Sequence, residues 1–134
     1  MKIDSSFLFE EARICLSPNF SDREANDISL LVLHNISLPP GKFGGGYVEK
    51  FFLNELDSQE HPYFKEIDNL RVSSHLYIKR DGSITQFVPL DKKAWHAGIS
   101  SFKGQENCNE FSIGVELEGT DEVPYERAQY TSCL

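Results

Sequence analysis

Four consecutive apolar residues, Leu30-Leu31-Val32-Leu33, break off at His34-Asn35, and no other segment narrows the possible folds so far. A continuous apolar run of this length suits a β-strand buried on both faces. His34 then ends the strand on its carboxyl side, the edge of an open α/β sheet at which ligands bind. A second segment, Phe111 to Glu118, alternates strictly. Phe111, Ile113, Val115 and Leu117 share one face; Ser112, Gly114, Glu116 and Glu118 share the other, so it reads as a strand whose second face carries two carboxylates.

Between these strands the chain is punctuated. Ser37 to Gly46 holds two prolines and four glycines and suits no regular element; its Gly41-Lys42 lacks the Ser or Thr and the upstream Gly of a phosphate loop. Tyr47 to Leu56 places Tyr47, Val48, Phe51, Phe52 and Glu55 at helical spacing, which predicts a short helix with an aromatic inner stripe. The stretch from Asp57 to Arg71 predicts a loop with a helical turn over Pro62 to Ile67. His75 to Arg80, then Asp81-Gly82, then Ser83 to Val88 predicts a β-hairpin with a two-residue primed turn. That register sets Leu76 and Ile78 opposite Phe87 and Thr85. Pro89 to Glu110 is expected to be irregular, and Pro124 is expected to begin a terminal helix through Tyr130.

Composition excludes several functions. With 13 Lys+Arg against 21 Asp+Glu the net charge is -8, and no dense basic cluster relieves it, so nucleic acid is not an expected partner. At 40% hydrophobic the chain can bury a core, and its length predicts one domain over residues 1–134. Cys15, Cys108 and Cys133 are odd in number and widely spaced, which reads as free thiols in a reducing compartment. No apolar run is long enough for a signal peptide or a membrane span, so a cytoplasmic protein is expected, with no membrane partner.

The residues able to carry chemistry are His34, His75, His96 and Glu116. Glu116 lies deeper in its strand than Glu118, where burial should raise its pKa toward the range of a general base; a salt-bridged strand carboxylate is the alternative. Trp95, in the loop Ala94-Trp95-His96-Ala97-Gly98, suits either core packing or stacking on a ligand. A zinc-assisted hydrolase would use His34 as a metal ligand and Glu116 as base.

Five segments together carry a resemblance: Leu33-His34-Asn35-Ile36-Ser37-Leu38-Pro39-Pro40-Gly41, Arg71-Val72-Ser73-Ser74-His75, Arg80-Asp81-Gly82, Lys93-Ala94-Trp95-His96-Ala97-Gly98, and Cys108 through Asp121. In order and spacing they resemble the AmpD-type 1,6-anhydro-N-acetylmuramyl-L-alanine amidases of the amidase_2 and peptidoglycan recognition protein-like family. The resemblance implies an α/β fold, a mixed central β-sheet flanked by helices. It implies a cytoplasmic bacterial hydrolase of peptidoglycan recycling, monomeric, acting on an anhydromuropeptide. The bond it cuts is the lactyl amide between (1,6-anhydro)N-acetylmuramic acid and the L-Ala of a stem peptide. Carried over by position, His34 is a zinc ligand, Glu116 the catalytic acid/base, and Asn35, Arg71, Ala94 and Trp95 line the substrate groove; His75 and His96 are not zinc ligands.

The resemblance also implies a shortfall. In the family a further His and Asp ligate zinc (Zn2+), and a Lys stabilises the oxyanion, all from a stretch after the helix that begins here near Pro124. Residues Tyr125 to Leu134 contain none of the three types. The chain is therefore expected to be a single domain lacking its C-terminal part, with an incomplete zinc site. An inactive, truncated muropeptide-binding form is the alternative function. Asn107 stands where relatives often have Arg. Arg71, Lys92 and Lys93 are expected to give the groove local positive charge.

Overall fold

The structure, a computed structural model, describes residues 2–24 and 27–133; Leu134, the expected chain end, lies outside them. Its elements in chain order are β1 (Arg13–Ile14), β2 (Phe20–Asp22), β3 (Leu30–Ile36), α1 (Tyr47–Phe52), α2 (Phe64–Ile67), β4 (Leu76–Ile78) and β5 (Ile84–Gln86). They are followed by β6 (Lys92–Ala94), β7 (Ser101–Phe102), β8 (Gln105–Glu106), a 3₁₀ turn at Cys108–Glu110, β9 (Ser112–Glu118) and α3 (Arg127–Cys133). Five strands form a mixed sheet in the order β1-β5-β4-β9-β3. Strands β3 and β4 both run parallel to β9, while β5 is antiparallel to β4. This is the mixed sheet that the sequence reading expects.

The two faces of the sheet bury different clusters. On one, Tyr77 and Phe87 pack against Val48, Phe51 and Phe52 of α1 and Phe64 and Ile67 of α2, so the aromatic stripe predicted for α1 does face inward. On the other, Leu76, Ile78, Ile84, Val115 and Leu117 form a smaller cluster. Strand β9 lies between β4 and the edge strand β3 and is nearly all buried, which explains why both of its alternating faces matter.

Four sequence expectations need correction. Strand β3 is the sheet edge, and Leu31 and Leu33 on its second face are 60% and 56% exposed. They line an apolar groove of about 640 Å³ with Ile113 and Val115. The apolar run marks a strand, but burial on both faces does not hold among the described residues.

The β4–β5 hairpin is one residue out of the expected register: Leu76 faces Gln86, Tyr77 faces Thr85 and Ile78 faces Ile84. Its loop has three residues, Arg80-Asp81-Gly82, closed by the Gly82 N–H donating to Lys79 O (2.9 Å) and the Lys79 N–H to Ser83 O (3.0 Å). Gly82, at φ +85°, supplies the left-handed residue that such a loop needs. A one-residue slip swaps faces, so Ile84 joins Leu76 and Ile78 while Phe87 moves to the side of Tyr77.

Third, α3 begins at Arg127, and the Pro124 carbonyl instead accepts Arg80 Nη2 (2.9 Å). The helix is seated by buried Gln129, whose Nε2 donates to Ile78 O (3.3 Å) and Glu118 O (2.9 Å). Gly82 also lets α3 approach, since a Cβ there would lie 2.8 Å from Ala128 O.

The segment expected to be irregular also contains strands. β6 pairs with β2, and β7 with β8. β2 itself, like β1, has too little periodicity to be read from sequence.

Candidate active site

The parallel pairing of β3 and β9 places His34 directly beside Glu116, and the pairing of β4 with β9 places Tyr77 on Glu116's other side. Register partners in parallel strands project from the same face, so these three side chains form one row across the sheet. Glu116 is 8% exposed, and its Oε2 is buried without a hydrogen-bond partner. Burial alone raises its pKa to about 8, the direction a general base calls for. Glu118 behaves differently. Its two oxygens accept the backbone N–H groups of Gly44 (2.7 Å) and Arg80 (3.0 Å), so it pins two loops and is not open to a ligand.

Two residues before Glu116, on the same face, Gly114 leaves a notch. A Cβ there would lie 2.4 Å from His96 Cγ, so the His96 ring occupies the space that any other residue would fill. The His96 main chain is held in place by Asn109, whose Oδ1 accepts the N–H groups of His96 (3.1 Å) and Ala97 (2.8 Å). From the notch, His96 Nδ1 meets His34 Nε2 at 3.1 Å and its Nε2 meets Ser112 Oγ at 3.0 Å. The His34 and His96 rings are edge-on, 5.3 Å between centroids. Burial lowers the pKa of both, that of His96 to about 3.

His75 is fully buried and its nitrogens are both engaged. The Gly114 N–H donates to Nδ1 (3.0 Å), which leaves Nε2 to carry the proton and donate to Lys92 O (2.8 Å). Beside it Arg23 donates to the carbonyls of Leu90, Asn109, Glu110 and Ser112 and so ties the Asn109 turn to β9. Sequence reasoning missed Arg23, Asn109 and Ser112. Gly114 carried a usable signal, because a glycine inside a strand marks a close approach.

Burial pushes the His75 pKa down to about 4 from 6.5, which makes its neutrality a stability term. The unfolded chain protonates first, so the contribution is complete above pH 6.5 and is lost as pH falls toward 4, by on the order of 3 kcal/mol. Glu116 acts oppositely: protonated in the fold up to about 8, it costs stability as pH rises above 4.5. Urea melts of wild type and His75→Gln at several pH values separate the two, and the wild-type advantage is expected to shrink as pH drops from 6.5 to 4.

The other expected site residues are dispersed. Trp95 is half-buried, donates Nε1 to Ser21 Oγ (3.2 Å) and lines a polar cleft of about 660 Å³ with Lys93, Asn107, Asn109 and Glu110. Ala94 is fully buried beside it in β6. Asn35 is exposed and donates Nδ2 to Asp121 Oδ1 (2.6 Å), and Arg71 is exposed and donates to the carbonyls of Asp68 and Leu70. Lys92 and Lys93 pair with Asp22 and Glu110, each at 2.8 Å, so their charges are compensated within the protein.

As a metal centre the described residues fall short. His75 and His96 have both ring nitrogens engaged, while His34 engages Nε2 and leaves Nδ1 to offer. Among the described residues no group of three or more His, Cys, Asp and Glu converges as a metal site, whereas catalytic zinc takes three protein ligands.

A family profile described as N-acetylmuramoyl-L-alanine amidase matches residues 24–134. The chain belongs to this amidase family. It is 53% identical to the 1,6-anhydro-N-acetylmuramyl-L-alanine amidase AmpD of Citrobacter freundii over 97% of its own length, and 55% identical to that of Escherichia coli K12 over 89%. It spans 70% and 66%, respectively, of those two amidases. The crystal structure of a selenomethionine derivative of AmpD superposes with a TM-score of 0.96 at 52% identity, covering 99% of this chain and 74% of that one. At that level of agreement the amidase fold is the fold of this chain.

Proposed function

We propose that this chain provides the sheet and the acid/base of a zinc-dependent N-acetylmuramoyl-L-alanine amidase. The reaction is hydrolysis of the lactyl amide joining (1,6-anhydro)N-acetylmuramic acid to L-Ala, in cytoplasmic peptidoglycan recycling by a monomer. The observation that supports this best is the buried, unpaired Oε2 of Glu116 in register with His34. Family membership and relatives named as AmpD amidases supply the substrate class. No helix among the described residues is long and apolar enough to cross a membrane.

Zinc is the proposed cofactor, with His34 as one ligand; a single imidazole does not hold it at useful affinity, and the described residues bring no further ligands to it. The work proposed for Glu116 is acid/base. Its carboxylate takes a proton from the attacking water as the oxygen adds to the lactyl carbonyl. It returns that proton to the alanine nitrogen as the C–N bond breaks. A carboxyl titrating near neutral pH suits both steps. For the substrate, Trp95 would offer an apolar face to a sugar ring, Asn35 and Arg71 donors to peptide carboxylates, and Ala94 would underlie the groove wall.

A second reading, a muropeptide binder without turnover, is favoured for the isolated polypeptide by its incomplete ligand set. One comparison tests both. The 134-residue polypeptide, and the same residues joined to the part of the Citrobacter freundii relative beyond the matched segment, are given anhydromuramyl tripeptide. Calorimetric heat without products is expected from the first, and free tripeptide from the second. A folded, zinc-loaded fusion that releases nothing would overturn the amidase reading, and absence of heat in the first would overturn the binder.

A further inference from the structure

We propose that His96 is a positioning residue that sets the tautomer of His34, keeping the proton on His34 Nε2 and leaving Nδ1 bare. The inference rests on the proposed role of His34 as a ligand and deepens it. Its ground is the chain of contacts His34 Nε2 to His96 Nδ1 (3.1 Å) and His96 Nε2 to Ser112 Oγ (3.0 Å). Only one of two facing imidazole nitrogens carries a proton, so the chain runs one way or the other.

Run outward, His34 Nε2–H donates to His96 Nδ1 and His96 Nε2–H donates to Ser112 Oγ. Both rings then hold the Nε2–H form, which the neutral histidine side chain prefers, and which the Gly114 N–H independently imposes on neighbouring His75. Run inward, both rings would take the less favoured Nδ1–H form, and His34 would have no lone pair to offer.

The apparatus around His96 is built to hold this geometry. Gly114 opens the notch for its ring, and Asn109 grips its main chain through two N–H groups. A ligand histidine ordinarily donates its second N–H to an acceptor that fixes ring and tautomer, most often a carboxylate or carbonyl. Here the acceptor is another imidazole, anchored to the same strand that carries Glu116.

The test is a long-range ¹H–¹⁵N correlation spectrum of the uniformly labelled 134-residue chain near neutral pH, without metal or substrate. Wild-type His34 is expected to show a protonated Nε2 and a bare Nδ1. In His96→Leu both nitrogens should move toward the averaged positions of a free imidazole. His96→Asn, which sets an amide oxygen where Nδ1 stands, should restore the wild-type pattern. A wild-type proton on His34 Nδ1, or an unchanged His34 pattern in folded His96→Leu, would overturn the proposal. If His96→Leu does not fold, Ser112→Ala decides: loss of the Nε2 acceptor should shift His34 in the same sense, and no shift counts against it. Failure of the amidase reading shows instead as absent turnover with the tautomer intact.

Discussion

Glu116→Gln, in the fusion that turns over substrate, is expected to lower kcat by about 10²–10⁴-fold with KM little changed. Glutamine matches the glutamate in shape but neither takes nor returns a proton. Because Glu116 Oε2 has no partner in the fold, the substitution breaks no existing hydrogen bond at that atom. It also removes the cost of ionising a buried carboxyl, whose pKa stands at about 8. The variant should therefore be as stable as wild type at low pH and more stable at pH 9, where wild type must hold a buried, unpaired charge. Thermal melts at both pH values, set beside steady-state kinetics, read the two effects together. A kcat within threefold of wild type would remove Glu116 from the chemistry.

Phe87→Ala is expected to cost about 3–5 kcal/mol, a large share of the 5–15 kcal/mol that holds a typical domain. The ring is fully buried, stacks edge-on with Phe52 at 5.0 Å and joins β5 to the helical layer. The backbone at this point supports the site as well: the Phe87 N–H donates to the His75 carbonyl (2.9 Å), and His75 grips Gly114 beneath His96. Loss of the ring thus loosens the strand junction behind the candidate site. Leu33→Ala, at a residue 56% exposed, is the control and should fall within about 0.5 kcal/mol of wild type. Urea denaturation measures both, and equal losses would mean that the core is not organised around Phe87.

What was legible in the sequence follows from where periodicity is strong. The alternation of Phe111 to Glu118 identified β9 and singled out Glu116, and the run before His34 identified β3. Neither segment states its neighbours, so β3's place at the sheet edge had to come from the pairing. The Asp81-Gly82 pair announced a hairpin, yet the same dipeptide serves a two-residue turn and a three-residue loop with Gly82 left-handed, and the choice between them decides which face every side chain takes. β1 and β2 are two and three residues long and are strands only because β5 and β6 offer partners. Without the family resemblance, the four histidine and glutamate candidates could be named but not sorted. Their sorting depends on contacts between residues far apart in sequence, such as the Gly114 N–H on His75 and Ser112 on His96.

The proposed reaction is hydrolysis of a muramyl lactyl amide by water attack on the lactyl carbonyl. Its most direct measurement is mass spectrometry of the products formed by the active fusion from anhydromuramyl tripeptide in ¹⁸O-labelled water. One labelled oxygen in the lactyl carboxylate of the anhydro sugar, and none in the released tripeptide, is the predicted result. Label in a peptide carboxylate, or a product that still carries the muramyl-alanine bond, would contradict it.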